Sequence, residues 1–316
     1  MQVSIVVPVY RSADCLPELV RRVHEDVGAA FDSYELVLVN DGSPDDSWAV
    51  IERLCDHHDF ITGINLRTNV GQDNALMAGL SRCRGDIVVI MDDDLQHDPA
   101  DVVRLCREIE HGHDVVYARF EEQHHPWWKR AGSWLANRMA VWLLHKPPDI
   151  YMSPFKAMRR EVAEEILGYP GPFSYVDGIV FGVTSNLAQI PATHGPRHAG
   201  TSSYTLARSI GVWLRLVTGF SAVPLRVVSI AGGVMAGLSF AMGAYFLVEA
   251  LLFGRPVEGW PSLMVTVAFL GGIQLIAIGV VGEYIARIYL TINKRPQYSV
   301  QQERRASTGA DGRRDP

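Results

Sequence analysis

Short apolar runs separated by amphipathic stretches organise the N-terminal part of the chain. Ser4–Tyr10 (SIVVPVY), Glu35–Asn40 (ELVLVN), Ile61–Leu66 and Asp86–Met91 (DIVVIM) are rich in Val and Ile. Such runs suit strands buried on both faces of a parallel sheet. Val115–Ala118 reads as a further strand. Between the strands, Leu16, Leu19, Val20, Val23 and Val27 recur at helical spacing, with Asp14 placed to cap that helix. Asp45–His57 and Gly71–Cys83 read as the next helices. This order predicts a doubly wound, mostly parallel α/β sheet. Ligands of such sheets bind outside the carboxyl ends of the strands. Asp41 follows one strand end and Asp92–Asp94 follow another.

The pattern then changes. Pro126–His145 is amphipathic, with Trp127, Trp128, Trp134 and Trp142 beside Lys129, Arg130 and Arg138. It suits either a helix packed on the domain or one lying in a headgroup layer, where Trp and cations are favoured. Thr205–Phe220 has a similar character and precedes a span. Val227–Val248 and Gly259–Gly282 carry no charge at all. At about 1.5 Å per residue, each is long enough for a hydrocarbon core of about 30 Å. Two transmembrane helices are therefore expected. Gly233 and Gly237 form a GxxxG step, read equally well as a helix contact or as small residues in a Gly-rich span. Glu303–Pro316 is polar, and disorder is expected there. The organisation expected is a soluble α/β domain over 1–204, an interfacial segment over 205–226, a transmembrane pair over 227–290 and a tail over 291–316.

Composition adds limits. The 316 residues are 48% hydrophobic and 20% charged, with a net charge of −6. That balance argues against a nucleic-acid partner. Cys15, Cys55, Cys83 and Cys106 show no CxxC spacing, so reduced structural thiols are expected rather than a zinc or redox site. No basic leader with a cleavage site precedes the first strand, so the N-terminal domain is expected in the cytoplasm.

Asp92-Asp93-Asp94-Leu95-Gln96 stands directly after an apolar strand. Three consecutive carboxylates repel one another and call for a counter-charge. A divalent cation bridging a diphosphate would supply it, and hard oxygen ligands suit Mg2+ or Mn2+. Alone, so short a motif fits a solvated acidic turn better, with Asp98 capping the next helix.

Its companions carry more. VVPVY at Val6–Tyr10, NDGSPDDS at Asn40–Ser47, GQDNALMAG at Gly71–Gly79 and DDDLQHDP at Asp92–Pro99 resemble family 2 glycosyltransferases of the GT-A fold. They look closest to the dolichyl-phosphate mannose synthase branch. GEYIARIY at Gly282–Tyr289 and KRPQYSVQQ at Lys294–Gln302 are similar to bacterial undecaprenyl-phosphate aminoarabinose and glucosyl transferases. The resemblance covers roughly residues 3–302. It implies inverting sugar transfer from a nucleotide sugar, most readily a UDP-sugar, to polyprenyl phosphate at the cytoplasmic membrane, for envelope glycan modification. A homo-oligomer, as a tetramer, is implied by the same likeness. Pro8 and Tyr10 would line the nucleobase and ribose pocket, and Asp41 would accept a hydrogen bond from the base. Asp92 and Asp93 would contact ribose and diphosphate. Asp94, Gln96 and Asp92 would hold Mg2+ or Mn2+. Arg119 would contact the donor and Arg197 would grip a phosphate, for which an Arg fork is suited. Ser203 and Arg208 are placed on the acceptor side. Asp177 is the reserve candidate for an acid or base.

Departures touch the acceptor side and donor choice. Ser12 stands where relatives often carry Glu. Gly200-Thr201-Ser202-Ser203-Tyr204 replaces GESKY, so Ser203 stands for a phosphate-binding Lys. Met152-Ser153-Pro154-Phe155 lacks an acidic residue found in some members. Three other readings compete. An enzyme of the same fold could act on a lipid or glycan hydroxyl, although no QxxRW motif of processive synthases is present. An inactive nucleotide-binding scaffold is opposed by Asp92, Asp94, Gln96 and Arg197. A dinucleotide oxidoreductase is opposed by the first turn, Val9-Tyr10-Arg11-Ser12-Ala13, which lacks GxGxxG.

Arg208, Arg215 and Arg226 precede the first apolar run, and Arg287, Lys294 and Arg295 follow the uncharged part of the second. The connection carries only Arg255. By the positive-inside rule both termini face the cytoplasm. A cysteine placed at Val257 is therefore expected to react with an impermeant thiol reagent on intact cells. Labelling only after permeabilisation would contradict this topology.

Overall fold

The computed structural model describes residues 1–120, 141, 147–172, 174–192, 223–253 and 259–305. Arg197, Ser203 and Arg208 lie outside these residues. So do the Thr205–Phe220 segment and, apart from Val141, the Pro126–His145 segment. The chain divides into two compact units, Met1–Tyr204 with Lys294–Pro316, and Thr205–Asn293.

In the first unit, strands and helices alternate: β1 (Gln2–Val9), α1 (Leu16–Gly28), β2 (Ser33–Asn40), α2 (Ser47–His57), β3 (Ile61–Leu66), α3 (Gln72–Leu80), β4 (Ile87–Ile90), α4 (Ala100–Glu110) and β5 (Val115–Phe120). There follow β6 (Lys156–Arg159), α5 (Arg160–Leu167), α6 (Val176–Val183), β7 (Leu187–Ala192) and β8 (Val300–Arg305). The eight strands form one sheet in the order β7-β5-β6-β4-β1-β2-β3-β8. β1 runs parallel to β2 and β4, β2 parallel to β3, and β5 parallel to β7. β6 and β8 are antiparallel to their neighbours.

Alternation along β1 explains the layering. Val3, Ile5, Val7 and Val9 join a buried cluster with Leu16, Leu19, Val20 and Val23 of α1 and Val102, Leu105 and Ile109 of α4. Successive side chains point to opposite faces, and Val6 faces α3 instead. There Gly79 lies so close that a Cβ would fall 2.4 Å from Val6 Cγ1 and 3.0 Å from Val39 Cγ2. The chain steps from β1 to β2 to β3 in one direction, then crosses back to β4 on the other side of β1. The sheet therefore has its switch point between the carboxyl ends of β1 and β4, where such sheets open a crevice.

Three local expectations change. Asp14 does not cap α1. Cys15 holds the N-cap position, and the Ser12 carbonyl accepts from the N–H groups of Cys15 and Leu16. A backbone turn thus does the work expected of the carboxylate. α2 begins at Ser47, because Asp45 is drawn outside the helix to accept from the Ser47 N–H and hydroxyl. The disorder expected from Glu303 fails over Glu303–Arg305. These residues belong to β8, whose Arg305, Arg304 and Glu303 lie opposite Thr62, Gly63 and Ile64 of β3. An edge strand is held by its backbone and stays polar, so VQQERR looks unstructured as a sequence. Asp98 does cap locally, its Oδ1 accepting from the Ala100 N–H at 3.1 Å. All four cysteines are free thiols.

The second unit contains α7 (Val223–Phe253, 31 residues) and α8 (Trp260–Ile292, 33 residues). Val223–Phe246 and Phe269–Ile292 are long and apolar enough to cross a membrane. Both helices extend beyond the uncharged runs, because helix continues through polar flanks. Their large apolar side chains are exposed, Phe240 at 81% and Leu275 at 72%. An apolar surface of that extent requires an apolar cover.

Gly79→Ala tests the packing of α3 on the sheet. Alanine favours helix by about 0.5–1 kcal/mol over glycine, whereas overpacking costs about 1–3 kcal/mol. Val6 and Val39 are stiff at χ1 and cannot turn away cheaply. A net loss of about 1 kcal/mol is expected, read as a lower Tm. An unchanged or raised Tm would contradict this close approach.

Candidate active site

Four turns meet at the switch point. The first leaves β1 through Tyr10 and Arg11. Arg11 has φ +59°, a left-handed conformation unusual for a residue with a side chain. That turn lets the Tyr10 N–H donate to Asp93 Oδ2 at 3.0 Å, joining the ends of β1 and β4. Tyr10 is exposed, and the Arg11 guanidinium lies 5.4 Å from its ring centroid. Pro8 is buried within β1 opposite Val39.

The second turn leaves β2 through Asp41, which is only 4% exposed. Its two carboxylate oxygens accept from the N–H groups of Val70 (2.7 Å) and Gly71 (2.9 Å), and Asn69 Nδ2 donates to its carbonyl. Asp41 thus clamps the loop that enters α3. Burial pushes its carboxyl above the usual range, and the two backbone donors oppose that rise. Gly42 (φ +59°) leaves no room for a Cβ, which would meet the Asn69 nitrogen at 2.7 Å.

The third turn is the acidic one. Asp92, Asp93 and Asp94 are half-buried after β4. Burial and the charges of Asp94 and Asp93 push the Asp92 carboxyl up to about 7. Its Oδ1 accepts from Gln72 Nε2 at 2.8 Å, and its N–H donates to His97 Nδ1 at 3.1 Å. His97 is buried and stacked on Phe155 and Phe120. Asp94 Oδ1 accepts from the Gln96 N–H at 3.1 Å, across Leu95 at φ +61°. A second left-handed residue thus stands at the same crevice, and such strain collects at functional sites.

The fourth element is the start of α6. Lys156 of β6 is 2% exposed and lies in register with Ile90 of β4 and Tyr117 of β5. Its ammonium pairs with Asp177 and sits 5.4 Å from the Tyr117 ring centroid. The Tyr117 hydroxyl donates to the same Asp177 oxygen at 3.0 Å. Burial and the Asp177 charge push the Tyr117 hydroxyl well above its ordinary value. Asp73 Oδ1 accepts from the Val176 N–H at 3.2 Å, and its carboxyl rises to about 6, mainly by burial. The Lys156 charge pulls both Asp73 and Asp92 back down.

Of the expected residues, Tyr10, Asp92, Asp93, Asp94 and Gln96 come together at one crevice, with Asp41 behind it. Asp177 belongs to the Lys156 and Tyr117 group. Arg119 is exposed at the end of β5 and makes no ion pair among the described residues. Gln72, Asp73, His97, Tyr117 and Lys156 were not singled out from the sequence. Lys156 left a signal, a charge between Phe155 and Ala157 in an apolar run.

Metal ligation fits these residues in one way. Among the described residues, no three His, Cys, Asp or Glu side chains converge into a cage. Adjacent carboxylates, with Asp92 raised first by burial and then by its neighbours' charge, suit a cation that completes its shell with substrate phosphates and water.

Similarity to known proteins accords with this geometry. Residues 4–167 match the Glycosyl transferase family 2 domain, and residues 223–288 match the GtrB C-terminal hairpin. The chain belongs to glycosyl transferase family 2. It is 34% identical to the SfII prophage-derived bactoprenol glucosyl transferase of Shigella flexneri, over 97% of this chain and 100% of that one. It is 32% identical to an undecaprenyl-phosphate 4-deoxy-4-formamido-L-arabinose transferase of Enterobacter sp. (strain 638), over 95% and 93%. Its fold matches that of glucosyl-3-phosphoglycerate synthase from Mycobacterium tuberculosis, solved with Mn2+ and UDP-glucose. That match has a TM-score of 0.51 and 17% identity, and covers 69% of this chain and 77% of that one. The fold is therefore GT-A, as the motifs imply.

Asp41→Asn tests the clamp. The amide keeps one acceptor and turns its NH2 toward a backbone N–H. Losing a charge-assisted bond and burying opposed donors costs about 2–3 kcal/mol. A lower Tm and weaker nucleotide binding are expected together. A wild-type Tm would show that Asp41 is not the clamp.

Proposed function

We propose that this protein moves a sugar from a nucleotide-sugar donor, a UDP-sugar, onto the phosphate of a polyprenyl phosphate, with inversion. One observation carries the reading. The acidic turn after β4 is tied to the end of β1 at the switch point, and the same chain supplies two membrane-length helices matching a hairpin of this family. The relatives named for bactoprenol and undecaprenyl phosphate support the choice of acceptor. The catalytic unit and both termini are assigned to the cytoplasmic face.

The residues divide the work. Tyr10 and Asp41 shape the nucleoside end, Asp41 through the loop it clamps. Asp92 and Asp93 stand at the ribose and diphosphate, and Arg119 contacts the donor from β5. Asp94, Gln96 and Asp92 would hold Mg2+ or Mn2+. When bound, that cation neutralises charge developing on the leaving diphosphate. Tyr10 N–H and Gln72 fix the carboxylates in advance, so little reorganisation remains at the moment of reaction. Arg197 grips a phosphate, and Ser203 and Arg208 take the acceptor side.

A phosphate acceptor is already anionic near neutral pH and needs no strong base, so positioning dominates. Asp177 suits that picture, because its oxygen is engaged by Lys156 and Tyr117. We assign it to holding the site rather than to abstracting a proton.

The test offers the purified full chain its nucleotide sugar with either polyprenyl phosphate or the matching polyprenol. Transfer to the phosphate alone is expected, weakened at least about tenfold by Arg197→Ala, as loss of a charged phosphate contact implies. Comparable transfer to the alcohol would overturn the reading and return Asp177 to the role of base.

A further inference from the structure

The KRPQYSVQQ segment that follows the second long helix has no part in the scheme above. Its side chains are nevertheless committed to the catalytic unit. Gln297 Nε2 donates to two carbonyls of one turn, Tyr169 at 2.9 Å and Gly171 at 2.8 Å. The Tyr298 hydroxyl donates to Ser81 Oγ at 3.1 Å, just past the end of α3. The Arg67 N–H donates to the Ser299 carbonyl, after which the chain becomes β8 along β3. Arg82 pairs with Glu303 at 2.9 Å.

The turn that Gln297 holds is the one that leads into α6. It is tight at Gly171, where a Cβ would fall 2.4 Å from the Tyr169 hydroxyl. Its far side is held by the first turn of α3. Asn74 Oδ1 accepts from the Ser174 N–H at 3.3 Å, and Asn74 Nδ2 donates to the Pro172 carbonyl at 3.4 Å. Asp73 accepts from Val176, and Gln72 reaches Asp92. The tail, α3 and the residues at 169–172 and 174–176 are thus joined by contacts. Three consecutive residues, Gln72, Asp73 and Asn74, connect them to the acidic turn. Asp177, held by Lys156 and Tyr117, is the second residue of α6.

We propose that Gln297 is a positioning residue whose side-chain amide fixes the turn leading toward Asp177. The inference rests on the reading that this end of the site serves the transfer described above. Gln297 acts through the turn and touches no substrate. The amide is specific, because both its partners are carbonyl acceptors. A glutamate of the same shape presents only acceptors to them and repels the turn, whereas an alanine merely releases it.

The full chain in nanodiscs would be compared as wild type, Gln297→Glu, Gln297→Ala and Arg304→Ala. The last removes the exposed ion pair between Arg304 of β8 and Glu52 of α2, away from Gln297. Hydrogen exchange at the Ser174 and Val176 amides is expected to quicken on the order of tenfold in Gln297→Glu and less in Gln297→Ala. The kcat for polyprenyl phosphate is expected to fall in the same order, on the order of tenfold for the glutamate. Binding of nucleoside diphosphate with Mn2+ and all Arg304→Ala values should match wild type. Wild-type exchange and kcat in Gln297→Glu would overturn the proposal. So would equal losses in Arg304→Ala, which would make strand docking as a whole responsible. Absence of transfer by the wild type would count against the proposed reaction instead, and the exchange comparison would still decide the role of the Gln297 amide.

Discussion

Negative charge gathered at the end of β4 is the constraint around which the catalytic unit is arranged. Two like charges about 5 Å apart repel by roughly 3 kcal/mol at an effective dielectric of about 20. Asp92, Asp93 and Asp94 are also half-buried, and burial, ahead of that repulsion, pushes the Asp92 carboxyl up to about 7. The surroundings are built to tolerate this. Tyr10 gives Asp93 a backbone donor, Gln72 gives Asp92 an amide, and Asp94 turns back on Gln96. Buried Lys156, in register with Ile90 two residues before the acidic turn, is the resident cation. The fold thus stabilises the cluster only in part, which accords with the proposed cation arriving with a phosphate-bearing substrate.

Backbone strain is spent at the same location. Arg11 and Leu95 take left-handed conformations on either side of the switch point. Arg11 turns the chain two residues after β1 and Leu95 closes the acidic turn that follows β4, where the Tyr10 and Gln96 N–H groups point toward carboxylates. Asp41, though acidic and near the crevice, serves the loop before α3, and so governs the approach of Gln72 to Asp92.

Sequence patterning made the parallel strands legible, because Val and Ile runs buried on two faces leave an unbroken apolar signal. The acidic turn was legible through its companions, because a short run of carboxylates gains meaning only beside VVPVY, NDGSPDDS and GQDNALMAG. The cap of α1 was misread, since Asp14 looks like a capping residue but the Ser12 carbonyl takes that place. β8 was missed because an edge strand needs few apolar side chains. Its hold on β3 is a backbone property that VQQERR does not advertise. Lys156, Tyr117 and Asp177 are far apart in sequence, and only the antiparallel placement of β6 between β4 and β5 brings the first two into register. Arg197, Ser203 and Arg208 lie outside the described residues, so the roles of the first two rest on the family likeness and that of Arg208 on its place as a basic residue before the first span.

The central claim is that the acidic turn holds a divalent cation together with a diphosphate. Calorimetric titration of the full chain with a nucleoside diphosphate, with Mn2+ and then with EDTA, tests it most directly, with Asp94→Asn as comparison. Binding that requires Mn2+, and that is lost in Asp94→Asn while the Tm stays at the wild-type value, is the expected result. Equal affinity in EDTA, or undiminished metal-dependent binding by Asp94→Asn, would contradict the account.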